Sequence, residues 1–447
     1  MNDSSHKATD GRPPRAVPKP SHQKGPLVEP KGYRELSLEE AARKTPPTML
    51  TDTEALIDMA RMRRYRLGRI RAQLKAQDMA ACLLVTPHSL RYATGLRNCA
   101  IYQAHIPATY LFVPAEGPTV LFDSQPGRFT GQELETIDEI SPELIPLTYM
   151  WASGRLDEWI DRWAAQMADL VTKHGGGNRR LAIERVGPRA PRALEALGLK
   201  VCDAADVVEP ARAIKSPEEV LCINHAIAVA EDGIWRMREN LRPGMTELEL
   251  WSHLWQANME AGGDWMEGRL LSSGDRTNPW QQEACSRRIR AGDLVGFDTD
   301  MVGPIGYFAD ISRVFHCGPG TPTAHQKELY QRAHEEIHHN IELMRPGRSF
   351  REVSETALRQ PEEFRAQHYP ALAHGAGMSD EWPVIFYPED AHYIYDGQLE
   401  PGMVMCVESY VGAVGGSEGV KLEQMVLITE QGPVLLSTFP FEDILLS

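Results

Sequence analysis

Little in this chain points to a stapled, membrane-spanning or nucleic-acid-binding protein. Its seven cysteines (Cys82, Cys99, Cys202, Cys222, Cys285, Cys317 and Cys406) are odd in number, scattered and never in a C-x-x-C pair. Neither a disulfide framework nor a thiolate zinc site is expected from that pattern, and a reducing cytoplasm is the expected compartment. No run approaches the ~18 apolar residues that span a bilayer, and the amino terminus carries no apolar signal segment. Basic charge is in deficit: 47 Lys and Arg face 62 Asp and Glu, for a net charge of −15. That balance disfavours a nucleic-acid or anionic-membrane surface and leaves small molecules or peptides as ligands. There is no Walker-type or G-x-G-x-x-G loop between a strand and a helix, so phosphate cradling is not expected.

What is present is an ordinary globular composition, 447 residues with 42% hydrophobic content, long enough for two domains and a tail. The first residues, including "GRPPRAVPKPSHQKGPLVEPKGY", lack apolar periodicity and predict an extended arm, taken to run to residue 50. From 51 to about 210, helix and strand patterns alternate, with a buried strand at Ala81–Val85 and two strands around the turn Pro114–Pro118, as in a small α/β domain. At "ARAIKSPEEVLCINHAIAV" a new domain, 211–447, opens: Ser216 caps a helix, Pro217 takes its first position and Glu219 completes the box. Val220, Ile223, Ala226 and Ile227 then form one apolar stripe. Helices near Thr246–Ala261 and Thr323–Met344 interleave with strands at Leu294–Thr299, Ile311–Phe315, Met403–Glu408 and Val420–Ile428, an α+β pattern.

Acids sit in strands of this second domain where an unpaired carboxylate is costly. Asp298 and Asp300 lie two apart after Leu294, Val295 and Phe297, so strand alternation predicts that both project from one face. Asp310 follows, then His374 in "LAHGAGMSDEW", Glu408 in "GMVMCVESYVG" and Glu423 in "GVKLEQMVLIT". Singly, each is explained by a salt bridge or a hydrogen-bonded loop. Together, five carboxylates and one imidazole form a hard, oxygen-dominated donor set that suits Fe, Mn, Co or Zn in a two-metal site and suits copper poorly.

In order and spacing these motifs resemble the pita-bread metallopeptidase family of Xaa-Pro aminopeptidase, prolidase, methionine aminopeptidase and creatinase, over about residues 60 to 447. "HSLRYATGL" and "ARAIKSPEEV" resemble that family's amino-domain motif and interdomain junction. The resemblance implies an α+β fold in which a pita-bread catalytic domain follows a smaller creatinase-type α/β domain, in a homodimer. It implies that Asp310 and Glu423 bridge two metal ions, that His374 and Glu408 hold one and that Asp298 and Asp300 hold the other. The chain also departs from the family. One residue is inserted between the first two aspartates, so that Asp300 stands where the family has glycine. Where its proline-directed peptidases place substrate-site histidines, this chain has Pro370 and Glu381, and Trp280 lies near a third such position.

Those departures resemble a lyase branch of the family that cleaves dimethylsulfoniopropionate to dimethyl sulfide and acrylate, with iron the usual metal. The substrate is a zwitterion. Metal ions gripping its carboxylate would stabilise the charge that develops when the alpha proton leaves. Asp380, six residues beyond His374, is the expected general base; the alternative is that Asp380 caps a local turn and Glu381 is the base. Trp280 and Tyr369 are expected to cage the sulfonium, at about 0.5–2 kcal/mol per ring, unless both simply line the cleft. Two further readings stay open: a proline-specific metallopeptidase, and a non-catalytic binding module of the same fold.

Overall fold

The computed structural model describes residues 36–43, 57–97, 99–124 and 127–447. These fall into two compact units, one made of the described residues between Ile70 and Val207, the other of 36–43, 57–69 and 208–447. No helix among the described residues is long and apolar enough to cross a membrane.

The first unit is a six-stranded sheet in the order β4-β3-β2-β1-β5-β6. Its strands are β1 (Ala81–Leu84), β2 (Tyr110–Pro114), β3 (Val120–Phe122), β4 (Glu139–Ile140), β5 (Arg180–Ile183) and β6 (Lys200–Asp203). The central run Ala81–Leu84 is buried at every position, as expected of a strand covered on both faces. The helix Leu156–His174 turns Ile160, Trp163, Met167 and Val171 inward at helical spacing onto this sheet's core.

Most of the expected arm lies outside the described residues. The part that is described is not extended: Leu38–Ala42 is a helix, because Ser37 and Glu40 form a complete capping box. Asn224 Nδ2 anchors it by donating to the carbonyls of Ala41 and Ala42. The helix that receives it, Pro217–Asn240, begins as expected, with a Ser216/Glu219 box and Pro217 in its first turn. Its stripe of Val220, Ile223, Ala226 and Ile227 is buried.

The rest of this second unit is built on three sheets. Two are small: β11-β10-β7 and β12-β9-β8, from β7 (Trp265–Met266), β8 (Leu271–Ser273), β9 (Leu294–Asp298), β10 (Met301–Val302), β11 (Phe308–Ala309) and β12 (Ser312–His316). The third is five-stranded, β14-β13-β15-β16-β17, from β13 (Ala373–Ala376), β14 (Asp380–Ile385), β15 (Val404–Val411), β16 (Val420–Thr429) and β17 (Gly432–Leu435). One face of its long central pair packs on a core of Met405, Val407, Leu422 and Val426 against Tyr330 and Ile337 of the helix Ala324–Glu342. The alternate residues of the same strands, Cys406, Glu408, Lys421 and Glu423 among them, face the other way.

Candidate metal centre and active site

On that other face, β15 and β16 pair antiparallel with Glu408 opposite Glu423, Cys406 opposite Met425 and Tyr410 opposite Lys421. Across the next ladder His374 of β13 lies opposite Cys406. Strand alternation therefore delivers His374, Cys406, Glu408, Lys421 and Glu423 to one surface. The β9–β12 hairpin supplies Asp298, at the end of β9, and Asp310, just before β12. Two donor groups result, each with ligand atoms within 4.8 Å of one another: Asp310, His374, Cys406 and Glu423, and Asp298, Asp300 and Asp310. They share Asp310.

Asp300 reaches this cage by a route other than the expected one. β9 ends at Asp298, not Thr299, and Asp300 has φ +36°, in the left-handed region, so the pair does not share a face through strand alternation. A turn points the second carboxylate inward, and aspartate tolerates that backbone better than most residues with a Cβ. Thr299, between them, donates its hydroxyl to the Ala309 carbonyl at 2.8 Å and accepts from the Ile311 amide at 3.0 Å, which pins both sides of Asp310.

Lys421, fully buried two residues before Glu423, organises the acids. Its Nζ lies 3.0 Å from Asp298 Oδ2, 3.2 Å from Glu423 Oε2 and 2.9 Å from Ser312 Oγ, and it also pairs with Glu408 Oε2. Each carboxylate is thereby split into an outer oxygen held by the ammonium and an inner one. The inner oxygens Asp298 Oδ1 and Glu423 Oε1, and Asp310 Oδ1 beside them, are buried with no hydrogen-bond partner. Buried acceptors in that state call for a cation, so the residues fit divalent metal ions. His374 fits as well: Nδ1 bonds the Gly375 carbonyl at 3.1 Å, while Nε2 turns inward, 3.0 Å from Glu408 Oε1 and 3.6 Å from Asp310 Oδ2.

The electrostatics follow from crowding. Burial and then neighbouring carboxylates push Asp300, Asp310 and Glu423 well above the ordinary carboxylate range. Burial works against ionisation of Asp298 too, but Lys421 beside it holds its pKa below the usual value. Burial opposes a charged His374, yet Glu408, Asp380 and Glu423 raise it to about 10.

Asp380 and Glu381 open β14 and, as neighbours in a strand, point apart. The Asp380 side chain is 66% exposed, with Oδ1 3.6 Å from His374 Nδ1, at a cavity of about 440 Å³ lined also by Glu209, Tyr369 and Trp382. Limited solvation in the cleft and the acids around it raise its pKa, against the opposing pull of His374. Glu381 is buried and saturated: Oε2 meets Lys215 Nζ at 3.0 Å, and Oε1 meets Arg212 Nε at 3.2 Å and the Met378 amide at 2.9 Å. The glycines of "HGAGM" allow this packing. A Cβ on Gly375 would stand 2.5 Å from the Trp382 carbonyl, and one on Gly377 would stand 2.4 Å from the Glu381 carboxylate.

Of the two aromatic candidates, Tyr369 lines the cavity and Trp280 is not among its lining residues. Both rings instead surround the protein's own cation: Lys421 Nζ is 4.5 Å from the Tyr369 ring centroid and 5.8 Å from that of Trp280. Trp280 is thus a wall of the lysine's niche. Sequence reasoning missed Lys421, Cys406 and the Lys215–Arg212 pair. The first two carried a readable signal, since each lies two residues before a candidate ligand in the same strand.

A two-domain chain with a carboxylate-rich metal cage on a pita-bread sheet defines the creatinase–prolidase class, and comparison with known proteins agrees. Residues 66–214 match the creatinase/prolidase N-terminal domain, and residues 221–430 match metallopeptidase family M24. The chain is 39% identical to the dimethylsulfoniopropionate lyase DddP of Roseovarius nubinhibens over 88% of its own length and 89% of that protein. It is 35% identical to the DddP of Roseobacter denitrificans over the same shares of the two chains. Among solved structures, an Xaa-Pro dipeptidase from Bacillus anthracis superposes with a TM-score of 0.68 at 21% identity, covering 85% of this chain and 99% of that one, a likeness of fold. The chain belongs to the DddP family, a non-peptidase branch of metallopeptidase family M24.

Proposed function

We propose that this protein is a metal-dependent carbon–sulfur lyase that cleaves dimethylsulfoniopropionate to dimethyl sulfide and acrylate. The observation that carries the reading is an exposed carboxylate, Asp380, beside the grouped donors Asp298, Asp300, Asp310, His374 and Glu423, with Glu408 3.0 Å from His374, and next to an acid, Glu381, that is locked away. In this reading Asp298, Asp300, Asp310, His374, Glu408 and Glu423 hold two metal ions, iron by preference. Bound there, the ions supply Lewis acidity to the substrate carboxylate.

The chain's own part is positioning and proton transfer. Lys421 keeps the outer carboxylate oxygens occupied, so the inner ones remain the donors. Asp380 takes the alpha proton. The C–H electrons become the new carbon–carbon double bond, the C–S bond breaks with its pair remaining on sulfur, and neutral dimethyl sulfide leaves. Acrylate retains the carboxylate, and Asp380 returns its proton to water. Tyr369 and Trp382 line the cavity in which the dimethylsulfonium head would lie against ring faces.

Headspace analysis of dimethyl sulfide, with acrylate measured in parallel, tests the reading. Asp380→Asn should keep metal content and fold but lose on the order of 10²–10⁴ in rate, the usual contribution of a positioned base. Proline release from an Xaa-Pro peptide without dimethyl sulfide would move the chain to the peptidase reading. Pro370 and Glu381, in place of substrate-site histidines, argue against that outcome. The same reading takes the protein as a cytoplasmic homodimer, which solution mass measurement addresses.

A further inference from the structure

One donor in the cage has no part in the function proposed above. Cys406 lies on β15 two residues before Glu408, on the same face and opposite His374. Its neighbours Met405 and Val407 point the other way, into the core, so the thiol is not a filler of that core. It is fully buried. Its sulfur is mutually within 4.8 Å of donor atoms of Asp310, His374 and Glu423. Independently, Asp310 Oδ1 and Glu423 Oε1 are buried without hydrogen-bond partners. Lone-pair donors aimed at one another in this way are satisfied by a cation.

We propose that Cys406 is itself a metal ligand, adding one sulfur to the position that His374, Glu408, Asp310 and Glu423 serve in the proposed function. The inference rests on the metal centre of the proposed function and gives that centre an asymmetry. The position of Asp298, Asp300 and Asp310 offers oxygen alone, whereas the sulfur-bearing position selects a borderline ion such as Fe²⁺, Co²⁺ or Zn²⁺ over Mg²⁺ or Mn²⁺. As the metal–sulfur bond forms, the thiol proton passes to bulk water and no electrons change hands. Among carboxylates alone a thiolate is disfavoured, and a dication inverts that local balance.

Titration of the metal-free full-length protein with Co²⁺ tests this by absorption. A sulfur-to-cobalt charge-transfer band should grow in the near ultraviolet and saturate at about one equivalent, since only one position carries sulfur. Cys406→Ser should bind cobalt without the band, and Cys406→Ala provides a second variant if the serine chain does not fold. Stoichiometric cobalt binding with no such band in the wild type, or an unchanged band in either variant, overturns ligation by Cys406 and leaves the metal centre standing. Failure of the wild type to bind any cobalt overturns both.

Discussion

Replacing Lys421 with methionine removes the ammonium that touches Asp298, Glu408, Glu423 and Ser312, and leaves a side chain of similar length. At an effective dielectric of ~20, each contact near 3.0 Å is worth roughly 5 kcal/mol in Coulomb energy. Those contacts compete with several kcal/mol of burial cost for every ion in the cluster, so the net gain of the pairing is small, but removing the shared cation strands its buried partners and costs ~3–5 kcal/mol. In chelator, Lys421→Met should therefore melt roughly 6–20 °C lower, at about 2–4 °C per kcal/mol for a unit of this size. Added metal should recover much of the loss, because a cation on the inner oxygens offsets the charge of the same carboxylates, so the gap between the metal-bound and metal-free melting points should widen relative to wild type. Thermal denaturation with and without chelator reads both quantities. A metal-free variant melting within ~2 °C of wild type would refute the claim that Lys421 holds the acids together.

Asp300→Gly separates donor from backbone: glycine adopts φ +36° freely, so metal-free stability should hold or rise by up to ~1 kcal/mol while metal affinity falls ~10-fold or more, read by calorimetry. Glu336, buried and accepting from Ser409 at 2.6 Å, has its pKa raised by burial to about 7. The folded chain then keeps a proton that the unfolded chain sheds from about pH 4.5 upward, so stability should fall by up to ~3 kcal/mol as pH rises to 7. Denaturant unfolding at several pH values should show that slope in wild type and a flatter one in Glu336→Gln. Glu381→Gln should cost ~3 kcal/mol of stability by disrupting the pairs with Lys215 and Arg212, yet change dimethyl sulfide release less than ~10-fold. A rate collapse in Glu381→Gln with an unaltered melt would make Glu381 the base.

The parts of this site that were legible in the sequence are those governed by local periodicity. Glu408 and Glu423 each interrupt an apolar strand, and a run such as "GMVMCVES" announces its pleat whatever surrounds it. The helix at Pro217 was readable for the same reason, since Ser216, Pro217 and Glu219 form a local signal. The capping box at Ser37 was equally local, but it lay beside a Pro- and Lys-rich run whose composition dominated the reading, and the helix went unrecognised. Lys421 and Cys406 failed differently. Alternation from Glu423 and Glu408 puts them on the ligand face, but which groups they meet there comes from the register of β16 and β13 against β15, pairings between segments distant in sequence. Asp300 was placed in the cage by an argument about strands that does not apply past Asp298.

The same alternation decides between two adjacent acids. In β14 the residues of Asp380–Ile385 alternate between exposure and burial, so that although Asp380 and Glu381 both border the cavity, the Asp380 side chain is exposed there and that of Glu381 is enclosed. Gly375 and Gly377 let β13 approach β14 closely enough for the interior acid to be enclosed. Once enclosed, it requires positive partners, and Lys215 and Arg212 provide them from the segment just before the helix Pro217–Asn240. Those two cations then neutralise Glu381, and Asp380 remains the exposed carboxylate at the cleft. A base must reach substrate, exchange its proton with water and stay clear of permanent pairing. Asp380 meets them better: it is exposed at the cavity and its ion-pair partner His374 Nδ1 stands off at 3.6 Å, whereas Glu381, though it borders the same cavity, has a fully buried carboxylate held by Lys215 and Arg212, which is why the proposed chemistry rests on the first acid of the strand.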